Sequence, residues 1–462
     1  MTECNQESFE FEELFSRQVV ARFDGGTISS DAGGLLLRET ERRIRLLKRL
    51  RGCFSDGRNP ARIEHGLEQM LAQRIYGLAL GYEDLNDHDQ LREDPLLAVL
   101  VGKSDPTGED RIRPRDRGKP LAGKSTLNRL EQGSSATPDR YKKVNYDAEA
   151  IDRLLVDLWL EAQACPPAEV ILDLDTTDVA LHGHQENRFF HGYYNHYCYL
   201  PLYIFSGEHL LCARLRPSNT DASAGSLAEI QRIVGQTRAA WPEVRIILRA
   251  DSGFCREALM SWCEANQVDY VFSLARNERL RAVIESQMQE ATARYAMTGK
   301  PARVFTEFFY QTHKSWSRSR RVVAKAEQIE GKQNPRFVVT SLSPQRWAAA
   351  ALYEQLYCAR GDMENRIKEQ FSLFSDRLSN ATMRANQFRL YLSSLAYVLL
   401  QALRRLGLRG TELARAQVST LRLKLLKIGA QIRVTVRRVW VAMATGYAHR
   451  LLFQTVYQQL RS

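Results

Sequence analysis

The run Glu169-Val-Ile-Leu-Asp-Leu-Asp-Thr-Thr-Asp178 constrains the fold more than any other stretch of the chain. Val170, Ile171 and Leu172 give it the apolar body of a strand, yet it ends in carboxylates. Aspartate is disfavoured in strands, so its placement there carries a cost. Residues two apart in a strand face the same side. Asp173 and Asp175 can therefore point together into one cleft, with Thr176 and Thr177 starting the turn. Such a pair suits a divalent cation bound through oxygen. The plainer reading is a strand end where aspartate opens a turn, and this stretch alone does not separate the two.

The residues beyond Asp178 have the same grammar. Strands are expected over Tyr199–Phe205 and Leu210–Leu215, joined by Ser206-Gly-Glu208, and a helix over Ser226–Ala240. Val244–Leu248 is a second buried strand, and it leads into Arg249-Ala-Asp251-Ser-Gly-Phe254. A helix near Glu257–Asn266 and a strand over Tyr270–Leu274 come next. With aspartates closing the first and fourth strands, this order is the layout of a ribonuclease-H-like (retroviral-integrase-like) α/β core.

Between 276 and 348 the pattern turns β-rich after one helix, Arg279–Ala296, with strands over Val304–Thr312, Arg320–Gln328 and Phe337–Ser341. Trp316 sits in the basic turn Lys314–Arg321, where it can stack on a base or pack on its own sheet. Ala348–Leu373 is expected to be one continuous helix. On it Tyr357, Arg360, Glu364 and Lys368 follow an i, i+3, i+7, i+11 spacing, which is a single face. An ion-paired surface helix would look the same.

The 462 residues carry a formal net charge of +11. A chain that basic favours an anionic partner, with nucleic acid first among them. The eight cysteines are scattered with no Cys-x-x-Cys pair, which points to reduced thiols and not to a zinc ribbon or a disulfide framework. The start is acidic and lacks the pattern of a signal peptide. The apolar run Leu390–Leu403 is short for a membrane span and reads as a buried helix. A cytoplasmic protein with no membrane partner is the expectation.

The first 165 residues read as mostly helical. Ser29, Ser30 or Asp31 can cap a helix reaching Leu50; further helices are expected over Ile63–Gly81 and Leu85–Val101, and Ala148–Ala164 before Cys165-Pro-Pro. Asp84, Asp87, His88 and Asp89 look like an acidic helix start sooner than a metal site. Gly118 to Ser125 fits the P-loop spacing, but only Arg-Pro-Arg-Asp-Arg precedes it where the motif needs an apolar strand. His182, His184, His191 and His196 match no compact zinc spacing and read as structural or DNA-facing. The tail past 406 is basic, with a strand over Ile432–Val436.

Taken together, Asp175, Asp251 and Glu364 form a trio of hard oxygen ligands able to hold two Mg²⁺ ions. Such ions activate a water or a 3′-hydroxyl and stabilise the leaving oxygen of a phosphodiester.

The motifs Ser29-Ser-Asp-Ala-Gly-Gly-Leu35, Ala79-Leu-Gly-Tyr-Glu-Asp-Leu-Asn-Asp-His-Asp89, Leu172-Asp-Leu-Asp-Thr-Thr-Asp178, Arg249-Ala-Asp-Ser-Gly-Phe254 and Arg360-Gly-Asp-Met-Glu-Asn-Arg-Ile-Lys-Glu369 resemble those of the bacterial insertion-sequence transposases of the DDE class, in particular the group numbered thirteen-eighty. The resemblance covers nearly the whole chain. It implies an RNase H-like core in two pieces, 166–275 and 349–406, a β-rich insertion at 276–348, a helical DNA-binding and assembly region at 1–165 and a basic region at 407–462. It further implies Mg²⁺-dependent cleavage (Mn²⁺ can substitute) at terminal inverted repeats, strand transfer into target DNA, and action as a homodimer or larger oligomer at the bacterial nucleoid. Carried over, the catalytic and metal-binding residues are Asp175, Asp251 and Glu364, with Asp173 as a further ligand candidate. Tyr357, Arg360, Lys368, Trp316 and Arg249 are assigned to DNA. The family's Tyr-x-x-Arg-x-x-x-Glu signature ends in a lysine seven residues after the Glu; here that residue is Phe371, and Lys368 on the same face can take its place. A metal-dependent nuclease without strand transfer and a transposase-derived DNA-binding protein are the alternatives.

Overall fold

A computed structural model of the protein describes residues 8–133 and 141–462; Cys4 lies outside it. The chain divides into two compact units, the first made of residues 1–146 together with 395–462 and the second of residues 147–394.

The second unit is mixed α/β, built on a nine-stranded sheet. Its strands in chain order are β1 (Glu169–Thr176), β2 (Leu202–Ser206), β3 (His209–Arg214), β4 (Arg245–Ala250), β5 (Asp269–Leu274), β6 (Ala302–Tyr310), β7 (Arg320–Ile329), β8 (Lys332–Gln333) and β9 (Arg336–Thr340). Across the sheet the order is β3-β2-β1-β4-β5-β9-β7-β6, with β8 pairing β7. The central pairs β1–β4 and β4–β5 are parallel and all others antiparallel. Thus the strands expected at 276–348 do not form a separate sheet; they extend the central one.

The period of two sorts β1 onto two faces. Leu172 and Leu174 join Ile246, Leu248 and Ala250 in a core that includes Trp159 of helix α1 (Ala148–Glu161), Ile230 and Ile233 of α2 (Ser226–Ala240), and Met260 of α3 (Glu257–Ala265). Ile171 and Ile247 face the other way, with Val271, Val323 and Val338, and are covered by Leu352, Tyr353 and Leu356. Asp173, Asp175 and Arg249 have the odd-numbered parity of that second face.

The segment expected to be one helix over 348–373 is broken into stages. An α turn at Ala349–Ala351 passes into a π-helical stretch at Leu352–Tyr357 and a 3₁₀ turn at Cys358–Arg360, and only Gly361–Phe371 (α4) is regular α-helix. Each change of winding shifts the angular phase, so the single face expected from Tyr357 to Lys368 does not run straight.

In the first unit, Gly34–Ile44 and Leu46–Arg51 are separate helices, because Arg45 takes a left-handed conformation at φ 51°. The helix expected over 85–101 is likewise two short ones, His88–Leu91 and Pro95–Leu100. Gly33 explains part of the Ser29–Leu35 motif. Its NH reaches the Leu426 carbonyl at 3.1 Å, and a Cβ there would lie 2.0 Å from the Leu425 oxygen. Asp31 of the same motif accepts from the Tyr82 hydroxyl at 2.7 Å and pairs with Lys427 at 2.7 Å. His88 is buried, with its ring nitrogens against Gln73 at 3.0 Å and Arg74 at 2.8 Å.

Candidate active site

Parallel register brings the two aspartate-ended strands level. Asp173 of β1 is paired with Arg249 of β4, and Leu174 with Ala250. One step further along both chains come Asp175 and Asp251. Asp251 has just left the strand and caps the turn Ser252–Phe254, its Oδ1 accepting from the Gly253 NH at 2.8 Å.

The third acid arrives through an arginine. Arg360 Nη1 donates to Asp175 Oδ2 at 2.9 Å, and its Nη2 to Glu364 Oε1 at 3.4 Å. Burial acts to lower the Arg360 pKa; the charges of Asp175, Tyr357 and Asp251 outweigh it, and the net shift is upward. Asp175 is the most perturbed member. Burial pushes its carboxyl up to about 6, Asp251 adds to that, and Arg360 and the Thr176 NH pull against it. A buried carboxylate beside another acid is short of positive charge.

Among the described residues, no three or more His, Cys, Asp or Glu side chains are gathered as a bound metal requires. The acids converge on Arg360 instead. Even so, their chemistry fits a hard divalent ion: all the donors are carboxylate oxygens, and Asp175 carries the under-compensated charge that such an ion would relieve.

The other expected residues fall into two groups. Tyr357 is half-buried, its ring 5.6 Å from that of Tyr353, and Lys368 is exposed one turn beyond Glu364. Arg249 and Trp316 depart from the expectation of DNA contact. Arg249 is buried, with Nε and Nη2 on the two oxygens of Asp173 and Nη1 on the Leu356 carbonyl at 2.5 Å. A guanidinium so occupied frames the site and has no face left for a phosphate. Trp316 is 7% exposed, packed edge-on to Tyr310 at 5.8 Å and beneath Arg320 at 5.5 Å. Its basic turn folds back onto its own sheet, which leaves no open indole face.

Two further side chains escaped the sequence reading. Asp178 accepts from or pairs with His196 Nε2 at 2.8 Å, three residues past Asp175. Arg320, with 2% of its side chain exposed, clamps Glu257 and Glu264 of α3 at 2.7 Å each. Nothing in a strand's alternation marks an inward arginine as a clamp before its acids are seen on a neighbouring helix.

Comparison with known proteins gives one family. The model of the family described as transposase DDE domain group 1 matches residues 11–462. Among solved structures, the chain is similar to piggyBac transposase in its synaptic complex with hairpin DNA, at 10% identity and a TM-score of 0.41, covering 86% of this chain and 80% of that one. No curated protein matches.

Proposed function

The chain belongs to the transposase DDE domain group 1 family, and from this premise we propose that it cuts DNA at terminal inverted repeats and joins the freed ends to target DNA, using Mg²⁺ or Mn²⁺ held by Asp175, Asp251 and Glu364. As a DDE transposase it is an enzyme acting on DNA. The finer assignments are our reading: a bacterial element of the group numbered thirteen-eighty, an RNase H-like core, and a homodimer or larger assembly working on double-stranded DNA at the cytoplasmic nucleoid. In that scheme 1–165 serves DNA binding and assembly, 166–275 and 349–406 catalysis, 276–348 the insertion, and 407–462 further backbone contact.

The observation that carries the proposal is the level register of Asp175 and Asp251 on adjacent parallel strands, with Glu364 tied to Asp175 through Arg360. Divalent ions held by Asp175, Asp251 and Glu364 would supply charge neutralisation at the phosphodiester and would lower the pKa of an attacking water or 3′-hydroxyl. The chain's own work is positioning. Asp175 and Asp251 hold their carboxylates side by side at the strand ends. Asp173, with both oxygens on Arg249, is the weaker candidate for a ligand. Arg360, freed from Asp175 and Glu364, can turn its planar fork to a phosphate oxygen. Tyr357 and Lys368 flank it on the strand's path, and the surplus of positive charge holds the duplex through phosphate contacts.

The test is direct. Asp175→Ala, Asp251→Ala and Glu364→Ala are each expected to abolish Mg²⁺-dependent cleavage of DNA carrying the element's ends and to leave DNA binding largely intact. Full cleavage by Asp251→Ala would overturn the assignment. Joining of pre-cut ends separates a transposase from a nuclease that only cuts.

A further inference from the structure

Beside the carboxylates stands a group of aromatic rings that the cleavage chemistry leaves without a task. The strand Phe189–His191 and the strand His196–Tyr199 form a short hairpin, and the second of them also pairs with Val179–Ala180, just past Asp178. Tyr193 at its tip is 86% exposed, Phe190 53% and Tyr197 44%. Exposing large rings to water costs free energy that a folded chain normally avoids by burial.

The hairpin is held in place. The Glu186 NH donates to the Ala381 carbonyl at 2.8 Å, and its carboxylate accepts from the Met383 NH at 2.8 Å. The Ser218 hydroxyl donates to the Phe189 carbonyl at 2.9 Å. At the turn, Asn195 adopts φ 59° and its NH bonds back to the His191 carbonyl at 2.8 Å. Phe190 meets Tyr197 edge-on at 78° and Tyr193 meets Tyr194 edge-on at 87°, while Tyr194 stacks on His196 at 26°. An edge-on neighbour covers at most one face of a ring, and Tyr193 and Phe190, at 86% and 53% exposed, keep open ring surface. Arg188 lies 4.5 Å over the Tyr197 ring, adding a cation to the cluster.

Position ties the hairpin to the site. His196 is anchored on Asp178, three residues after Asp175. Tyr194 is near enough to both acids that, after burial, their charges help push its hydroxyl up to about 12.

We propose that the hairpin Phe189–Tyr199 is a stacking platform for unpaired bases of a DNA strand whose backbone enters the neighbouring carboxylate site, with Tyr193 and Phe190 as the principal rings and Arg188 on Tyr197 as a cationic contact. The inference rests on the transposase reading. Paired bases in a duplex already stack on each other and offer only their edges in the grooves. Open ring faces with a cation at hand are complementary to bases that have lost their neighbours, whatever their sequence. A protein partner would ask for a contiguous apolar patch; here a guanidinium and tyrosine hydroxyls break it up.

The experiment compares two probes without divalent metal: a blunt duplex of arbitrary sequence, and the same duplex with a short single-stranded overhang carrying a fluorescent purine analogue. The wild-type protein is expected to bind the overhang probe about tenfold more tightly and to quench the analogue. Tyr193→Ala and Phe190→Ala should each remove most of that preference, leave blunt-duplex affinity and melting temperature unchanged, and in the case of Tyr193→Phe the preference should return. Equal affinity of the wild type for both probes, or alanine variants that keep the preference, would overturn the platform while leaving the transposase reading standing. Failure to bind the overhang probe would likewise overturn the platform, whereas failure to bind and cleave DNA carrying the element's ends would overturn the transposase reading. An intact preference in a protein that cleaves normally as Asp251→Ala would sink only the catalytic assignment.

Discussion

Arg249 closes off both oxygens of Asp173: Nε donates to Oδ1 at 2.5 Å and Nη2 to Oδ2 at 2.8 Å, with both side chains nearly buried. Burial raises the Asp173 carboxyl above its ordinary value against the opposing pull of Arg249. The two aspartates of β1 share one face, but only Asp175 has been left with Arg360 as its cationic partner.

Removing one member of this buried pair leaves an uncompensated charge. Arg249→Met is therefore expected to destabilise the protein by about 3 kcal/mol or more, read as a lowered melting temperature. Asp173→Asn should cost nearly as much, because it strands the guanidinium. Loss of cleavage in either variant should follow loss of folded protein. In Asp251→Asn the two should part, with cleavage gone and melting close to wild type.

Asp175 gives a pH dependence of definite sign. Its folded carboxyl stands at about 6, above the ordinary 3.8. The native state thus holds this proton more tightly than the unfolded chain. The stabilisation it confers is full below about 3.8 and is lost as pH rises through about 6. Near neutral pH the metal-free protein carries a penalty of at most about 3 kcal/mol from this group. Asp175→Asn should recover part of it, less what Arg360 loses with its partner. Chemical unfolding of both proteins in metal-free buffer from about pH 4 to about pH 8 checks this. A wild type whose stability rises through that window would refute it.

The Arg320 clamp makes the insertion's strands part of the core. Despite burial, hydrogen bonds from Arg320, Ser261 and Ser317 hold Glu257 down to about 2. Arg320→Met should cost about 3 kcal/mol, since it removes the buried cation between Glu257 and Glu264 and leaves Glu257 with serine hydroxyls alone. Trp316→Ala should cost a similar amount by opening a cavity beside Tyr310. DNA affinity measured below the lowered melting temperature should be unchanged in Trp316→Ala; a specific loss there would return this indole to the DNA.

Two glycines should respond in opposite senses to the same change. Gly33→Ala places a Cβ 2.0 Å from the Leu425 oxygen and 2.4 Å from the Leu426 Cα. Backbone cannot yield as a side chain does, so a loss of about 3 kcal/mol or more is expected. Gly235 lies inside α2 with nothing within 4 Å of its would-be Cβ. Gly235→Ala should raise stability by about 0.5–1 kcal/mol through helix propensity. Paired melts of the two variants test both.

The strands of the central sheet were legible because alternation and β-branched runs are local signals, and Asp173, Asp175 and Asp251 break them visibly. The interruption at 352–360 was not legible: its residues are good helix formers, and the change of winding comes from packing Leu352, Tyr353 and Leu356 on the sheet. Arg45 breaks a helix with no glycine or proline to announce it. Arg249 and Trp316 look like DNA contacts in a basic chain. What decides them is which carboxylate or ring lies opposite, and that is set by residues dozens of positions away.

Gly33 and Leu426 belong to the same unit, yet nearly the whole chain is made between them. On a ribosome adding about 5–20 residues each second, the amino-terminal segment waits on the order of half a minute for the segment that pairs with it. Until then Ala32 and Leu96 lack the cover that Ile428, Ala430 and Ile432 give them in the folded unit. A chain that stops before Leu426 therefore lacks the backbone partner of Gly33.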